Sequence, residues 1–175
     1  MWWFEASDRE ETGVKRFWAN ILVGLVLAAS LAGCGFKLRG QAQFPFTAAF
    51  VEAPTGSPLG KALRLSLTSQ GKLAAKKDDA PVRIVLSEES RSKEILSLSG
   101  GGKVREYRLS YKVVMAVLDG AGNELAAPSE ILLTRDFSFS DAEVLAKEAE
   151  EATLNRAMDQ DALRQALRRL SYLKR

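Results

Sequence analysis

The stretch EYRLSYKVVMAVLD, residues 106–119, decides the fold of this chain. Tyr107, Leu109, Tyr111, Val113, Met115 and Val117 recur with a period of two, so they share one face of a strand. Arg108, Ser110 and Lys112 take the other face, until Val114, Ala116 and Leu118 turn it apolar. One end of this strand is therefore expected to be covered on both faces. Glycine-bearing stretches flank it: Ser99-Gly100-Gly101-Gly102-Lys103 before, Asp119-Gly120-Ala121-Gly122-Asn123 after. Both read as turns, because glycine reaches positive φ without strain. The upstream neighbour opens with Val82, Ile84 and Leu86 alternating with Arg83 and Ser87. It runs weakly through the polar Ser87–Lys93 and regains apolar character at Ile95, Leu96 and Leu98. The downstream neighbour alternates Ile131, Leu133, Phe137 and Phe139, interrupted by Arg135.

Two helices bracket these strands. Ala48–Ala53 suits a short first strand, and Pro54, Gly56, Ser57 and Pro58 punctuate a turn. Ser57 then fits an N-cap and Pro58 the first helical position. Leu59, Ala62, Leu63, Ser66, Leu67 and Gln70 fall on one helical face, Leu65 lies off it, and Gly71 suits the terminus. Near the other end, Ser140-Asp141-Ala142-Glu143 fits a capping box, with Ser140 accepting from the Glu143 amide. A long helix to about Leu170 should follow, with Leu145, Ala149, Ala152, Leu163, Leu167 and Leu170 on one stripe. Arg156 and Asp159 interrupt that stripe, and Leu154 and Met158 lie opposite it. Either the contact shifts midway or the second face meets a partner. Arg164, Arg168 and Arg169 suit the negative pole of the helix dipole. The expected fold is α+β: two helices packed on one face of a mixed sheet of about four strands.

Composition narrows the chemistry. The chain has 175 residues, one cysteine and no histidine. Imidazole-based triads, internal disulfides and the usual structural zinc sites are excluded. Gly100-Gly101-Gly102-Lys103 has the look of a phosphate loop, but Val104 replaces the hydroxyl residue and Ser97 stands where the leading glycine belongs. Ser110 and Lys112 share a side of their strand, yet nothing supplies an oxyanion hole. The expectation is a protein without enzymatic activity, cofactor or metal. The net charge of +3 is mildly basic and is compatible with nucleic acid or an anionic lipid surface.

The N-terminal residues choose between these. Residues 21–32, ILVGLVLAASLA, are too short to span a bilayer and follow Lys15 and Arg16. They read as the apolar core of a secretory signal. Leu31-Ala32-Gly33-Cys34 resembles the bacterial lipobox, in which the cysteine sulfur is acylated and becomes the mature N-terminus. Met1–Gly13, with Trp2, Trp3 and four acidic residues, fits an n-region less well. The expected organisation is a lipoprotein signal peptide over 1–33, a lipidated tether over 34–47 and a single α+β domain over 48–175. Without residues 1–33 the net charge becomes +4. Two or more acyl chains give stable anchoring, and Gly35 lacks the aspartate linked to inner-membrane retention. The expected location is the periplasmic face of an outer membrane, lipid-anchored, where nucleic acid is not an expected partner.

Cys34-Gly35-Phe36-Lys37-Leu38-Arg39-Gly40 resembles the opening of the LptE family of lipopolysaccharide-assembly lipoproteins. The likeness continues in Pro58-Leu59-Gly60-Lys61-Ala62-Leu63-Arg64, in Glu106-Tyr107-Arg108-Leu109, in Leu145-Ala146-Lys147-Glu148 and in Leu167-Arg168-Arg169-Leu170. The order and spacing of these segments carry it. The resemblance implies a non-enzymatic lipoprotein that plugs and helps assemble the LptD barrel and binds lipopolysaccharide bound for the outer leaflet. It implies lipopolysaccharide contact at Lys147. The family's second basic contact, on a hairpin, falls here on Gly100-Gly101-Gly102, so Lys103 and Arg105 are the nearest candidates. The alternative expectation is an envelope lipoprotein scaffold with a different outer-membrane partner.

Overall fold

The computed structural model describes residues 44–173. Strand β1 (Ala49–Glu52) leads through helix α1 (Pro58–Ser69) to β2 (Val82–Leu98), β3 (Val104–Asp119) and β4 (Glu124–Ser138). A short 3-10 turn (Asp141–Glu143) then opens α2 (Val144–Ser171). The four strands form one sheet in sequence order. β1 and β2 are parallel, which requires a crossover, and α1 supplies it. β2, β3 and β4 form an antiparallel meander. The fold is the expected α+β arrangement, with both helices contributing to one core.

That core rests on the face of β3 read from the sequence: Leu109, Tyr111, Val113, Met115 and Val117 are all buried. Ile84, Ile131 and Val51 extend it across the sheet, and Leu59, Leu63 and Leu67 bring α1 onto it. Each such aliphatic side chain contributes about 1.5–3 kcal/mol through burial. Ser57 caps α1 as expected, accepting from the Gly60 amide at 2.7 Å. Gly71, at φ 65°, ends it. Leu65 is exposed.

Three expectations need correction. α2 does not present the Leu145–Ala149–Ala152 stripe; those residues are exposed, Leu145 at 82%. Its buried ladder is Met158, Ala162, Ala166 and Leu170, with Leu154, Leu163 and Leu167 packed alongside. The alanines let the helix approach the sheet closely, and a four-residue spacing keeps them on one line. Second, the Ser140 hydroxyl makes no cap bond; its carbonyl instead accepts from the Glu143 amide at 3.0 Å, closing the 3-10 turn. Third, Val114, Ala116 and Leu118 are only half-buried. Among the described residues both helices pack on the opposite face, so these three are flanked by neighbouring strands rather than covered.

β2 is continuous through its polar middle, and the reason is local. Glu88 sits at φ 52°, and the β2–β3 register shifts between Ser87 and Ser90. Such a bulge re-aims a side chain. Glu89 thereby turns toward the helices, accepting from the Tyr111 hydroxyl and from the Leu59 amide at 3.3 Å. One of the unpaired donors at the start of α1 is satisfied from across the sheet. Burial, then the Glu89 contact, pushes the Tyr111 phenol well above its ordinary pKa.

At the other end, Phe44 and Phe46 stack at 5.1 Å and are buried in the core. The Lys72 ammonium donates to the Phe46 carbonyl at 2.6 Å and lies 5.6 Å from its ring. The expected tether thus has its last residues fixed beside the start of β1 and β2. The remainder of it, Cys34 and the expected signal segment lie outside the described residues. The hairpin joining β2 and β3 is at the opposite pole. Seventeen residues of β2 separate the two poles, roughly 50 Å at about 3.3 Å per residue.

Candidate functional site

The β2–β3 hairpin is closed by its own backbone. Ser99 donates to the Lys103 carbonyl at 2.7 Å, and Gly102 donates to the Ser99 carbonyl at 2.9 Å. The Lys103 amide donates to the Ser99 hydroxyl at 3.1 Å. These amides are committed within the turn, so the glycine run is a tight hairpin rather than a phosphate cradle. Gly102 sits at φ 77°, the conformation for which glycine is suited.

All three cations singled out from the sequence lie around the segment where β4 turns into α2. Ser138 is paired in register with Glu106, next to Arg105. The Phe139 amide donates to the Arg105 carbonyl at 2.7 Å. The Lys147 ammonium donates to the Ser138 hydroxyl at 3.0 Å and to Glu150 at 3.0 Å. Lys103 pairs with Asp141 at 3.5 Å. Arg105 and Lys147 thus flank Ser138 from the sheet and the helix, and Lys103 joins through the 3-10 turn. The Lys147 side chain is only 15% exposed, whereas that of Lys103 is 77% exposed.

A cleft of about 540 Å³ opens here, lined by Ser97, Leu98, Arg105, Glu106, Ser138 and Phe139. Its wall continues into an aromatic cluster in which Tyr107 meets the Phe139 ring edge-on at 5.2 Å and Phe137 at 5.8 Å. Lys93 lies 4.3 Å from the Tyr107 ring centroid and pairs with Glu151 of α2 at 2.6 Å. Arg91 similarly bonds Asn155 and Asp159. These pairs tie the middle of β2 to α2. Sequence reasoning missed Ser138, Phe139 and Leu98. The alternation of β4 marked Phe139 as strand, but nothing in the sequence placed its turn against Arg105.

The arrangement sets cationic side chains beside an apolar surface. It is poor for proton transfer or nucleophilic attack. Lys112, considered above with Ser110, pairs with Glu88 and Glu130 at 3.3 Å each. Glu130 first and Glu88 next hold its ammonium proton more tightly than usual, the opposite of what a base needs. Among the described residues no group of three His, Cys, Asp or Glu is placed to hold a metal ion.

The family model described as lipopolysaccharide-assembly, LptE, matches residues 43–170. This chain belongs to the LptE family. The LPS-assembly lipoprotein LptE of Photorhabdus laumondii is 31% identical over 156 residues, covering 86% of this chain and 84% of the relative. That of Yersinia pestis strain Pestoides F is 32% identical over 159 residues, covering 86% and 74%. Among solved structures, lipoprotein B of Nitrosomonas europaea aligns with a TM-score of 0.69 at 41% identity, covering 78% of this chain and 90% of that one. Rare lipoprotein B of Shewanella oneidensis aligns at 0.55 with 26% identity, covering 70% and 89%. The LptE model spans the sheet, both helices and the cleft at the hairpin pole, so the candidate site lies within the part of the chain that carries the family signal.

Proposed function

We propose that this LptE-family chain is an outer-membrane lipoprotein, acylated at Cys34 on the periplasmic face. It plugs and helps assemble an LptD-like barrel, and it binds lipopolysaccharide on its way to the outer leaflet. The observation that supports the reading is the gathering of Lys147, Arg105 and Lys103 around the turn from β4 into α2, beside a cleft that Arg105 lines, at the pole farthest from the start of the described chain. Lipopolysaccharide offers clustered phosphates, which ammonium and guanidinium groups bind by charge-assisted hydrogen bonds. Leu98 and Phe139 offer apolar surface beside them. The separation of the poles suits the role: a hydrocarbon core is about 30 Å thick, less than the length of β2. A plug needs a polar outer surface, since barrel interiors are polar. The exposed flank of α2 and the charged rows of Arg108–Asp136 and Lys112–Glu130 provide one.

The test is copurification. The tagged lipidated chain, extracted in mild detergent, is expected to bring down one large outer-membrane barrel together with lipopolysaccharide. Recovery of a different envelope protein in place of a barrel would move the chain to the scaffold reading.

A further inference from the structure

A second cationic cleft lies on the C-terminal half of α2. It has a volume of about 260 Å³ and is lined by Asp161, Arg164, Gln165, Arg168 and Arg169. Three arginines and one carboxylate line it, and a fourth guanidinium, that of Arg135, reaches the same carboxylate from β4. Asp161 pairs with Arg164 through one oxygen and with Arg135 of β4 through the other. Arg169 reaches over the outer edge of β4, donating to the Ser129 hydroxyl at 2.8 Å and to the Glu130 carbonyl at 2.7 Å. Those acceptors are neutral, so its charge stays uncompensated. The Glu130 carboxylate is engaged by Lys112. Among the described residues the Arg168 guanidinium has no hydrogen-bond or ion-pair partner.

The helix dipole accounts for Arg168 and Arg169, which stand in the last turn of α2, but not for the whole cluster. Its influence falls off within the last turn, and Arg164 stands about two turns from the end of α2. Arg135 belongs to another element altogether. Four neighbouring positive charges against one negative charge repel one another, and an anion seated between Arg164 and Arg168 relieves that repulsion. Guanidinium forks match phosphate oxygens bidentately. Arg169, already held by β4, gives the cleft one preorganised wall.

We propose that this cleft is a phosphoryl-binding site. Resting on the lipopolysaccharide reading above, it is a second station for the same glycolipid, used before the cleft at the hairpin pole. Lys147 and Arg168 are 21 residues apart on one helix, about 32 Å at 1.5 Å per residue. Arg168 lies toward the pole where Phe44 enters the fold, and Lys147 lies toward the hairpin. A phosphate-bearing lipid moving outward along α2 meets the arginines first. The same chemistry also suits free inorganic phosphate, and the two sources are separable.

The experiment uses the full lipidated chain in mild detergent. The wild type, Arg164→Ala/Arg168→Ala and Lys147→Asp are compared against purified lipopolysaccharide, its dephosphorylated form and inorganic phosphate. Both arginines are exposed, so the double variant should melt as the wild type does. The expected result is a loss of affinity for phosphorylated lipopolysaccharide of roughly tenfold or more in the double variant, the scale of at least one lost charge-assisted hydrogen bond. The dephosphorylated form should not distinguish the two proteins. If only Lys147→Asp weakens binding, the arginine cleft is overturned and the hairpin-pole reading stands. If lipopolysaccharide fails to bind even the wild type but phosphate binds in an Arg168-dependent way, the cleft stands as a free-phosphate site and the lipopolysaccharide reading falls. If the double variant loses a copurifying protein while its phosphate and lipopolysaccharide affinities hold, the cleft is a protein contact and the proposal is wrong.

Discussion

Exchanging Lys147 for aspartate tests the hairpin-pole site most sharply. The ammonium has three donors. One goes to the Ser138 hydroxyl and one to Glu150, each at 3.0 Å, which leaves one for a phosphate oxygen. A hydrogen bond to a charged group contributes about 1.5–3 kcal/mol. Competition from Glu150 reduces that net gain, while the low exposure of the side chain limits screening. The balance predicts a loss of about 1–3 kcal/mol, roughly 5- to 150-fold in affinity. Lys147→Arg should retain most of the binding, because the charge survives. The domain itself should lose no more than about 1 kcal/mol of stability, the range for a partly exposed ion pair. Displacement of a fluorescent lipopolysaccharide at low ionic strength reads the affinity directly. The difference between variants should narrow at 1 M salt, where the screening length falls to about 3 Å. A folded Lys147→Asp protein that binds with wild-type affinity at low salt refutes the assignment.

Other consequences follow from the fold. Gly60→Ala should destabilise by about 1–3 kcal/mol despite a helix-propensity gain of up to about 1 kcal/mol. A Cβ there would lie 2.6 Å from the Ala53 Cβ and 2.8 Å from the Ser57 hydroxyl that caps the helix; a raised melting temperature would contradict this. Tyr111→Phe removes the donor to Glu89, whose other buried carboxylate oxygen has no partner. The expected cost is about 1–3 kcal/mol in a urea unfolding curve, and an unchanged midpoint would count against the Glu89 bridge. Arg83, bonded to Glu52 at 3.1 Å, holds that carboxyl below its ordinary pKa, with Lys77 assisting. A depressed carboxylate contributes stability above its unfolded pKa and loses it as pH falls through the folded one. Glu52→Gln should therefore destabilise at neutral pH and become indistinguishable from the wild type in acid; a stability difference independent of pH would exclude the linkage. Cys34→Ser should leave the chain unacylated, as an unprocessed form that keeps its leader or as a soluble form, with the fold intact; membrane fractionation with mass determination checks it, and an acylated variant would contradict it.

The elements with strict alternation were readable from residues alone. β3 and the Ser57–Gly71 helix stand where the pattern put them, because one buried face dictates both register and period. Arg135 looked like a fault in β4, and its reason is tertiary: it reaches Asp161 on α2. The same holds for Arg91 and Lys93, which made β2 look weak and in fact tie it to the helix. The first half of the α2 stripe was misread, since Leu145, Ala149 and Ala152 are exposed; Leu163, Leu167 and Leu170 do reach the core, where close packing also selected Ala162 and Ala166. Glu88 at positive φ was not legible, since a non-glycine bulge leaves no mark in the pattern. The site residues Lys147, Lys103 and Arg105 came from family likeness, not periodicity. Their gathering around the β4–α2 turn depends on that turn and on the β3–β4 register, which spacing along the chain does not encode.

The central claim is that lipopolysaccharide contacts the hairpin pole. A photoreactive residue placed at Phe139 in the cell-embedded lipoprotein tests it most directly, with Leu65, exposed on α1, as the comparison position. The account predicts a lipopolysaccharide adduct at position 139 that fades in the Lys147→Asp background, and none at position 65. Equal labelling at both positions, or none at 139 while a barrel still copurifies, would contradict it.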